Sequence, residues 1–214
     1  MSTTCDPLAK WNNAAGHWQG LRLQRQAPRY REIARLVELY GDKGKILDVG
    51  CGEGVLLDYL NLANVSQYTG IEASATAIGG VVLTRSQDKV ERLTAEQYQP
   101  CPSSWDVVVL NEMLYYLRDP AAIIDKFAKG LTKNGVLLIS ICQKKDSLNA
   151  KALARKALLW LCRPGVVRGN RHCTRIIESH FQKGRYQVRD CFEVNGKIGM
   201  DPWRIYVVQP SMGS

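Results

Sequence analysis

The sequence predicts an α/β fold: a Rossmann-like, seven-stranded, mostly parallel sheet with helices on both faces. Three observations carry that reading. Short apolar runs alternate with stretches of helical spacing between residues 45 and 142, the pattern of a doubly wound sheet. One run, WDVVVLN (Trp105–Asn111), is unbroken and Val-rich, as expected of a strand buried on both faces of a parallel sheet. The first run, KILDV (Lys45–Val49), breaks directly into glycines, where such a sheet bends its backbone around a ligand.

Each element follows from local pattern. The leader WNNAAGHWQG holds Trp11, His17 and Trp18. In APRYREIARLVELY, Pro28 suits a first helical turn, and Ile33, Leu36, Val37 and Tyr40 recur at i, i+3, i+4 and i+7 before Gly41 stops the helix. Residues 1–40 are therefore expected to form an N-terminal helical cover. Val55–Leu62 has helical spacing, Gln67–Ala73 reads as a strand, and Ser74–Ser86 as a helix weakened by Gly79 and Gly80. Val90–Ala95 is a short strand. After Trp105–Asn111, Asp119 and Pro120 cap and open a helix, DPAAIIDKFAKGL. NGVLLISIC (Asn134–Cys142) is the next strand. The alternation then stops. LNAKALARKALLWLC and TRIIESHFQKG read as helices, the second ended by Gly184. RYQVRDCFEV and DPWRIYVVQ follow as two strands joined by NGKIG, an expected antiparallel pair.

At 214 residues the chain is expected to form a single domain over 1–214, with residues 143–184 inserted as a basic helical segment over the active site. No apolar run approaches the ~20 residues of a bilayer span, and MSTTCDPLAKW has no signal-peptide core, so the cytoplasm is the expected location. The seven cysteines include no C-x-x-C spacing, the pattern of free thiols, and no metal site is expected. The net charge is +9, but it is local. Residues 143–175 hold nine Lys and Arg against Asp146 alone, leaving the rest of the chain nearly neutral.

The chemistry begins at Asp48-Val49-Gly50-Cys51-Gly52-Glu53-Gly54. The spacing is G-x-G-x-G, not the G-x-G-x-x-G that opens a helix on a pyrophosphate, and no G-K-[ST] follows, which excludes a P-loop nucleotidase. Asp48 precedes the loop, and Glu72 ends the next strand about 20 residues on, where a carboxylate can accept both hydroxyls of a ribose. With these residues in place, ILDVGCGEG resembles the first motif of the class I S-adenosylmethionine (SAM) dependent methyltransferases. YTGIEAS, Thr94-Ala95-Glu96, WDVVVLNEMLYYLRDP and GLTKNGVLLIS resemble their later motifs. The resemblance covers about Lys45 to Cys142, half of the chain, and NEMLYYL is similar to a stretch of the nodulation N-methyltransferases and related small-molecule enzymes. It implies SAM as cofactor and S-adenosylhomocysteine as product. Gly50, Cys51 and Gly52 would then pass under the methionyl part and Asp48 would anchor its amino end. Glu72 would hold the ribose diol, Ala73, Ala95 and Glu96 would border the adenine, Asn111 would face the methionine moiety, and Glu112, Met113 and Tyr115 would lead toward the methyl group.

Methyl transfer from a sulfonium is an in-line displacement, so the protein chiefly positions the partners and excludes water. His17 in the leader is the best candidate for a general base, with a surface or capping role as its alternative. Tyr115 and Tyr116 can bond or line an acceptor, one of the two packing into the core. The basic segment reads first as a solvated, charged helix face; its functional readings are a rim for an anionic small molecule and, beside that, a contact for RNA or a membrane surface. The expected function is methyl transfer to O or N of a small molecule. Its alternatives are an RNA or protein methyltransferase, against which stands the absence of N/D-P-P-[YF] after the fourth strand, and a non-catalytic SAM-binding regulatory protein. The sequence holds no recognisable RNA-binding module, so nucleic acid is not the expected partner.

Overall fold

The computed structural model describes residues 24–143, 170–196 and 201–211. Seven strands form one sheet: β1 (Lys45–Val49), β2 (Gln67–Glu72), β3 (Lys89–Arg92), β4 (Trp105–Asn111), β5 (Leu131–Cys142), β6 (Tyr186–Val194) and β7 (Trp203–Pro210). Their order is β3-β2-β1-β4-β5-β7-β6. The first five strands pair in parallel. β7 runs antiparallel to both β5 and β6, as the turn-rich C-terminal pattern predicts. Chain order reverses between β1 and β4, so the carboxyl ends of these strands form the switch-point crevice where open α/β sheets take their ligands.

Period-two alternation sorts the central strands between two cores. Ile46, Tyr68, Val107, Val109, Leu138 and Val207 face one side. Leu47, Ile71, Val108, Leu110, Leu137 and Val208 face the other. The first side is covered by helix α1 (Ala27–Gly41), whose Ile33, Leu36 and Val37 are fully enclosed, on the predicted spacing. Pro28 sits in its first turn, and the left-handed Asp42 terminates it one residue beyond Gly41. The described part of the N-terminal region is thus a core helix, and it brings only its first turn to the carboxyl end of the sheet. The second side is covered by α3 (Pro120–Ala128) and α4 (Asn170–Phe181). Asp119 caps α3 by accepting from the Ala122 N–H at 3.0 Å, a bond worth about 1 kcal/mol.

The two expected helices beside β2 differ from the sequence reading. Val55–Leu62 forms a 3-10 turn, Val55–Asp58, and a second follows at Leu62–Asn64. Asn61 ends the helical run by accepting from the Ala63 N–H with its own side chain, the local competition that keeps Asn out of helix interiors. Ser74–Ser86 retains only α2, Ala75–Ile78. Ser74 caps it, and the glycines at 79 and 80 stop it, a Gly costing about 1 kcal/mol relative to Ala inside a helix. The helix read at Leu148–Cys162 and most of the basic segment lie outside the described residues. Among the described residues no helix is long and apolar enough to cross a membrane.

Candidate active site

The glycine loop leaves β1 and bends back toward β2. Gly50 and Cys51 N–H groups both donate to the Ile71 carbonyl, at 2.8 and 3.1 Å. Gly50, Gly52 and Gly54 all lie in the left-handed region, with φ of 72°, 58° and 70°, conformations that cost a non-glycine residue about 1–2 kcal/mol each. A Cβ on Gly50 would also stand 3.3 Å from the Met113 side chain in the loop after β4. Cys51 turns inward, and Gly70 on β2 has no side chain because a Cβ there would lie 2.7 Å from the Cys51 sulfur. Burial pushes the Cys51 thiol well up, aided by Asp48, so Cys51 is an inert packing group.

Two carboxylates flank the loop. Asp48 is 2% exposed and accepts one hydrogen bond from the Tyr68 hydroxyl at 2.8 Å. Burial drives its pKa up to about 7, opposed by Tyr68 and reinforced by Glu72. Glu72 is equally enclosed but better provided for. Its Oε2 accepts from the Gly52 N–H at 3.0 Å and its Oε1 from the Ser74 N–H at 2.8 Å. Burial raises the Glu72 pKa, while these backbone donors and that of Ala73 pull it down. Each Glu72 oxygen retains acceptor capacity beyond its one bond. The glycine loop and β2 are thus clamped by the residue that the spacing singles out.

The loop after β4 gathers a second cluster. Glu112 adopts a φ of 57°, a strained conformation of the kind found at ligand sites. Its carboxylate accepts from the Cys142 N–H at the end of β5 and from the Tyr115 hydroxyl at 3.1 Å. Asn111 accepts from the Ser140 hydroxyl at 2.8 Å. Tyr115 packs against the core, and burial with the Glu112 charge drives its phenol well up. Its proton is therefore committed to Glu112, which makes it a donor and not a base. Tyr116 is the solvent-facing member of the pair, its ring tilted against that of Tyr115 at 4.5 Å. In the turn after β3, Ala95 is buried and Glu96 exposed, and Ala73, directly after β2, is buried.

One residue escaped the sequence reading. Arg29, in the first turn of α1, is only 2% exposed and lies 3.8 Å from Glu112. It is sandwiched between the rings of Tyr30 and Trp203, at 4.7 and 5.0 Å. Its Nε and Nη2 are buried with no hydrogen-bond partner among the described residues. A desolvated guanidinium with open donors is costly unless an anion completes it. No sequence signal separated it from its neighbours Arg25 and Arg31. His17 lies outside the described residues. No group of three His, Cys, Asp or Glu placed to hold a metal ion occurs among the described residues.

Comparison with known proteins agrees with this geometry. A family model described as a methyltransferase domain matches residues 6–183. The ubiquinone biosynthesis O-methyltransferase of Xanthomonas euvesicatoria pv. vesicatoria is 31% identical over 134 residues, covering 58% of this chain and 53% of that protein. The homologous enzyme of Bordetella parapertussis is 35% identical over 89 residues, covering 37% of this chain and 35% of that protein. The chain spans about half the length of the first of these relatives, or less. Among solved structures, the N-methyltransferase NodS of Bradyrhizobium japonicum WM9 in complex with S-adenosylhomocysteine superposes with a TM-score of 0.68 at 18% identity, covering 90% of this chain and 91% of that one. The magnesium protoporphyrin IX methyltransferase of Synechocystis PCC 6803 gives 0.62 at 16% identity, covering 95% and 87%. At these identities the structural likeness establishes the fold.

Proposed function

The chain belongs to the methyltransferase-domain family, and on that premise we propose that it is a SAM-dependent methyltransferase acting on O or N of a small molecule. The observation that carries the proposal is the pairing of a three-glycine left-handed loop with Glu72, whose carboxylate already grips the Gly52 N–H. Backbone without side chains can approach a ligand closely, and a buried carboxylate beside it suits a diol. In this reading the amino-acid end of SAM lies along Gly50, Cys51 and Gly52, with its ammonium toward Asp48. Glu72 takes the ribose hydroxyls, Ala73, Ala95 and Glu96 border the adenine, and Asn111 and Glu112 face the methionine. The two unpaired nitrogens of Arg29 fit the remaining group of such a ligand, its carboxylate, as a bidentate pair.

SAM, when bound, supplies a methyl group on its own leaving group. The protein's part is orientation and exclusion of water. Tyr115 and Arg29 hold Glu112, and Glu112 ties the loop after β4 to the end of β5. His17 is proposed as the acceptor's base, and Tyr115 as part of the acceptor wall. We further propose a single methyltransferase domain over 1–214 and a cytoplasmic location; the leader and residues 144–169, which the sequence reading sets over the site, lie outside the described residues. Arg171 and Arg175, exposed on α4, belong to the basic 143–184 segment and favour an anionic acceptor. The sequence relatives' names support oxygen over nitrogen.

Calorimetric titration with S-adenosylhomocysteine, and release of that product from SAM with a panel of phenolic acids and amines, test the proposal. Arg29→Met is expected to weaken S-adenosylhomocysteine by about tenfold to over a hundredfold, the worth of a charge-assisted pair. Binding of 5′-methylthioadenosine, which lacks the amino-acid end, is expected to be unchanged. A folded protein that binds no S-adenosylhomocysteine refutes the cofactor. Binding without turnover on any acceptor points to the regulatory alternative.

A further inference from the structure

We propose that Lys126 is a positioning residue for adenine recognition: from α3 it grips two successive carbonyls of the turn after β3 and so aims the Glu96 N–H at the ring. The proposal rests on the cofactor reading above and adds to it a residue that is remote from the glycine loop.

The turn begins where β3 ends. The Leu93 N–H donates to the Glu72 carbonyl at 3.1 Å, which sets residues 94–98 beside the carboxylate assigned to the ribose. Within the turn Thr94 and Gln97 satisfy one another. The Gln97 N–H donates to Thr94 Oγ1 at 3.1 Å, and the Thr94 N–H to Gln97 Oε1 at 3.0 Å, the reciprocal arrangement of a capping box. The Tyr98 N–H also closes on the Thr94 carbonyl, at 3.1 Å. The Glu96 N–H donates to no backbone carbonyl among the described residues. Lys126 Nζ donates to the Ala95 carbonyl at 3.1 Å and to the Glu96 carbonyl at 2.7 Å.

Peptide planarity converts this grip into a direction. In a trans peptide the carbonyl and the following N–H point opposite ways. With the Ala95 carbonyl drawn toward α3, the Glu96 N–H must point away from α3, into the space that the turn borders. The neighbouring side chain reinforces the same geometry: Phe127 stacks on Tyr98 with ring centres 6.1 Å apart and planes 10° apart. Apolar contact thus fixes the distance of the turn from α3, and the ammonium fixes its rotation. A half-buried lysine that spends two of its three donors on backbone carbonyls is an expensive way to hold a loop that apolar packing already holds. The added value is the orientation of a donor.

A backbone N–H aimed at N1 of the purine meets an acceptor in adenine. In hypoxanthine N1 carries a hydrogen, so donor faces donor, and sites built on such a bond discriminate strongly. The probes are therefore S-adenosylhomocysteine and S-inosylhomocysteine, titrated into the full chain. The wild-type protein is expected to prefer the adenosyl ligand by at least about tenfold. In Lys126→Met, affinity for the adenosyl ligand is expected to fall by about three- to thirtyfold while the inosyl ligand changes little, so the preference collapses. Lys126→Arg, which can still donate to two carbonyls, is expected to restore it. Equal losses for both ligands in Lys126→Met, or no loss for either, overturn the proposal, as does failure of Lys126→Arg to restore the preference. A wild-type protein that binds neither ligand overturns the cofactor reading and this proposal with it, so the two failures are distinct. Circular dichroism of each variant in the absence of ligand verifies that the comparison is made on folded protein.

Discussion

The two flanks of the sheet are built on different physics. On the β4–β5–β7 flank, α3 and α4 lay Ile123, Ile124, Phe127, Ile177 and Phe181 against a continuous apolar core. On the β1–β2–β3 flank the crossovers shrink to 3-10 turns and a four-residue helix, and polar bonds take over. There Glu72 clamps the glycine loop. Asp88 accepts from the Tyr68 N–H and from Arg85, and Arg85 also donates to the Leu62 and Val65 carbonyls. The candidate site straddles them: the glycine loop and Glu72 lie on the second flank, and Asn111 and Glu112 follow β4 on the first. The difference teaches that apolar contacts carry most of the stability on the first flank while polar bonds shape the loop on the second, so the two should be largely separable by substitution.

The largest expected effect breaks the apolar flank. Phe127 is fully buried, and Phe127→Ala should destabilise the fold by about 3–5 kcal/mol through lost transfer energy and the cavity left behind. Urea unfolding measures it. On the other flank, Gly52→Val should leave unfolding closer to wild type but lower affinity for S-adenosylhomocysteine by about a hundredfold. A β-branched residue at a φ of 58° is a genuine outlier, and its methyl groups would occupy space given to the ligand. If Gly52→Val instead unfolds the chain as Phe127→Ala does, the two flanks are not separable.

A smaller effect sharpens the comparison. Glu72→Ala removes the acceptor for two backbone N–H groups as well as the proposed ribose contact. Affinity is expected to fall by about tenfold to over a hundredfold at 1.5–3 kcal/mol per charge-assisted bond. Glu72→Gln keeps one acceptor oxygen and should recover part of the loss. A well-folded Glu72→Ala protein with unchanged affinity would falsify the ribose assignment.

Most of the scaffold was legible because period and punctuation agree there. The Val-rich β4, the Asp119–Pro120 start of α3 and the apolar stripe of α1 each satisfy one local rule with no competitor. The helices expected beside β2 failed where Asn61 and the paired glycines at 79 and 80 offered the backbone a local alternative. In the site, Glu72 was legible because its distance from the loop is set by one crossover. Arg29 and Lys126 were not. Their significance depends on which helix face meets which loop, and nothing in their spacing distinguishes them from solvated neighbours such as Arg31 and Lys129. Glu112 was singled out by its place after β4, but its contacts with β5, α1 and Tyr115 are a property of tertiary packing.

The smallest expected effect concerns the proton on Asp48. In the ligand-free protein its carboxyl titrates at about 7 because burial outweighs the single bond from Tyr68, well above the roughly 3.9 of an exposed aspartate. The native state therefore holds this proton more tightly than the unfolded chain does. Stability from this group is fully present below the unfolded value and is lost as pH rises through about 7, beyond which it no longer changes. Ligand binding runs the other way. An ammonium favours the ionised carboxylate, so affinity for S-adenosylhomocysteine should rise with pH and be about tenfold weaker at pH 6 than at pH 8. Calorimetry at both pH values, with 5′-methylthioadenosine as the ligand lacking an ammonium, isolates the contribution. Asp48→Asn should bind S-adenosylhomocysteine more weakly at pH 8 and lose the pH dependence. If the slope survives in Asp48→Asn, or if 5′-methylthioadenosine displays the same slope, the ammonium does not meet Asp48.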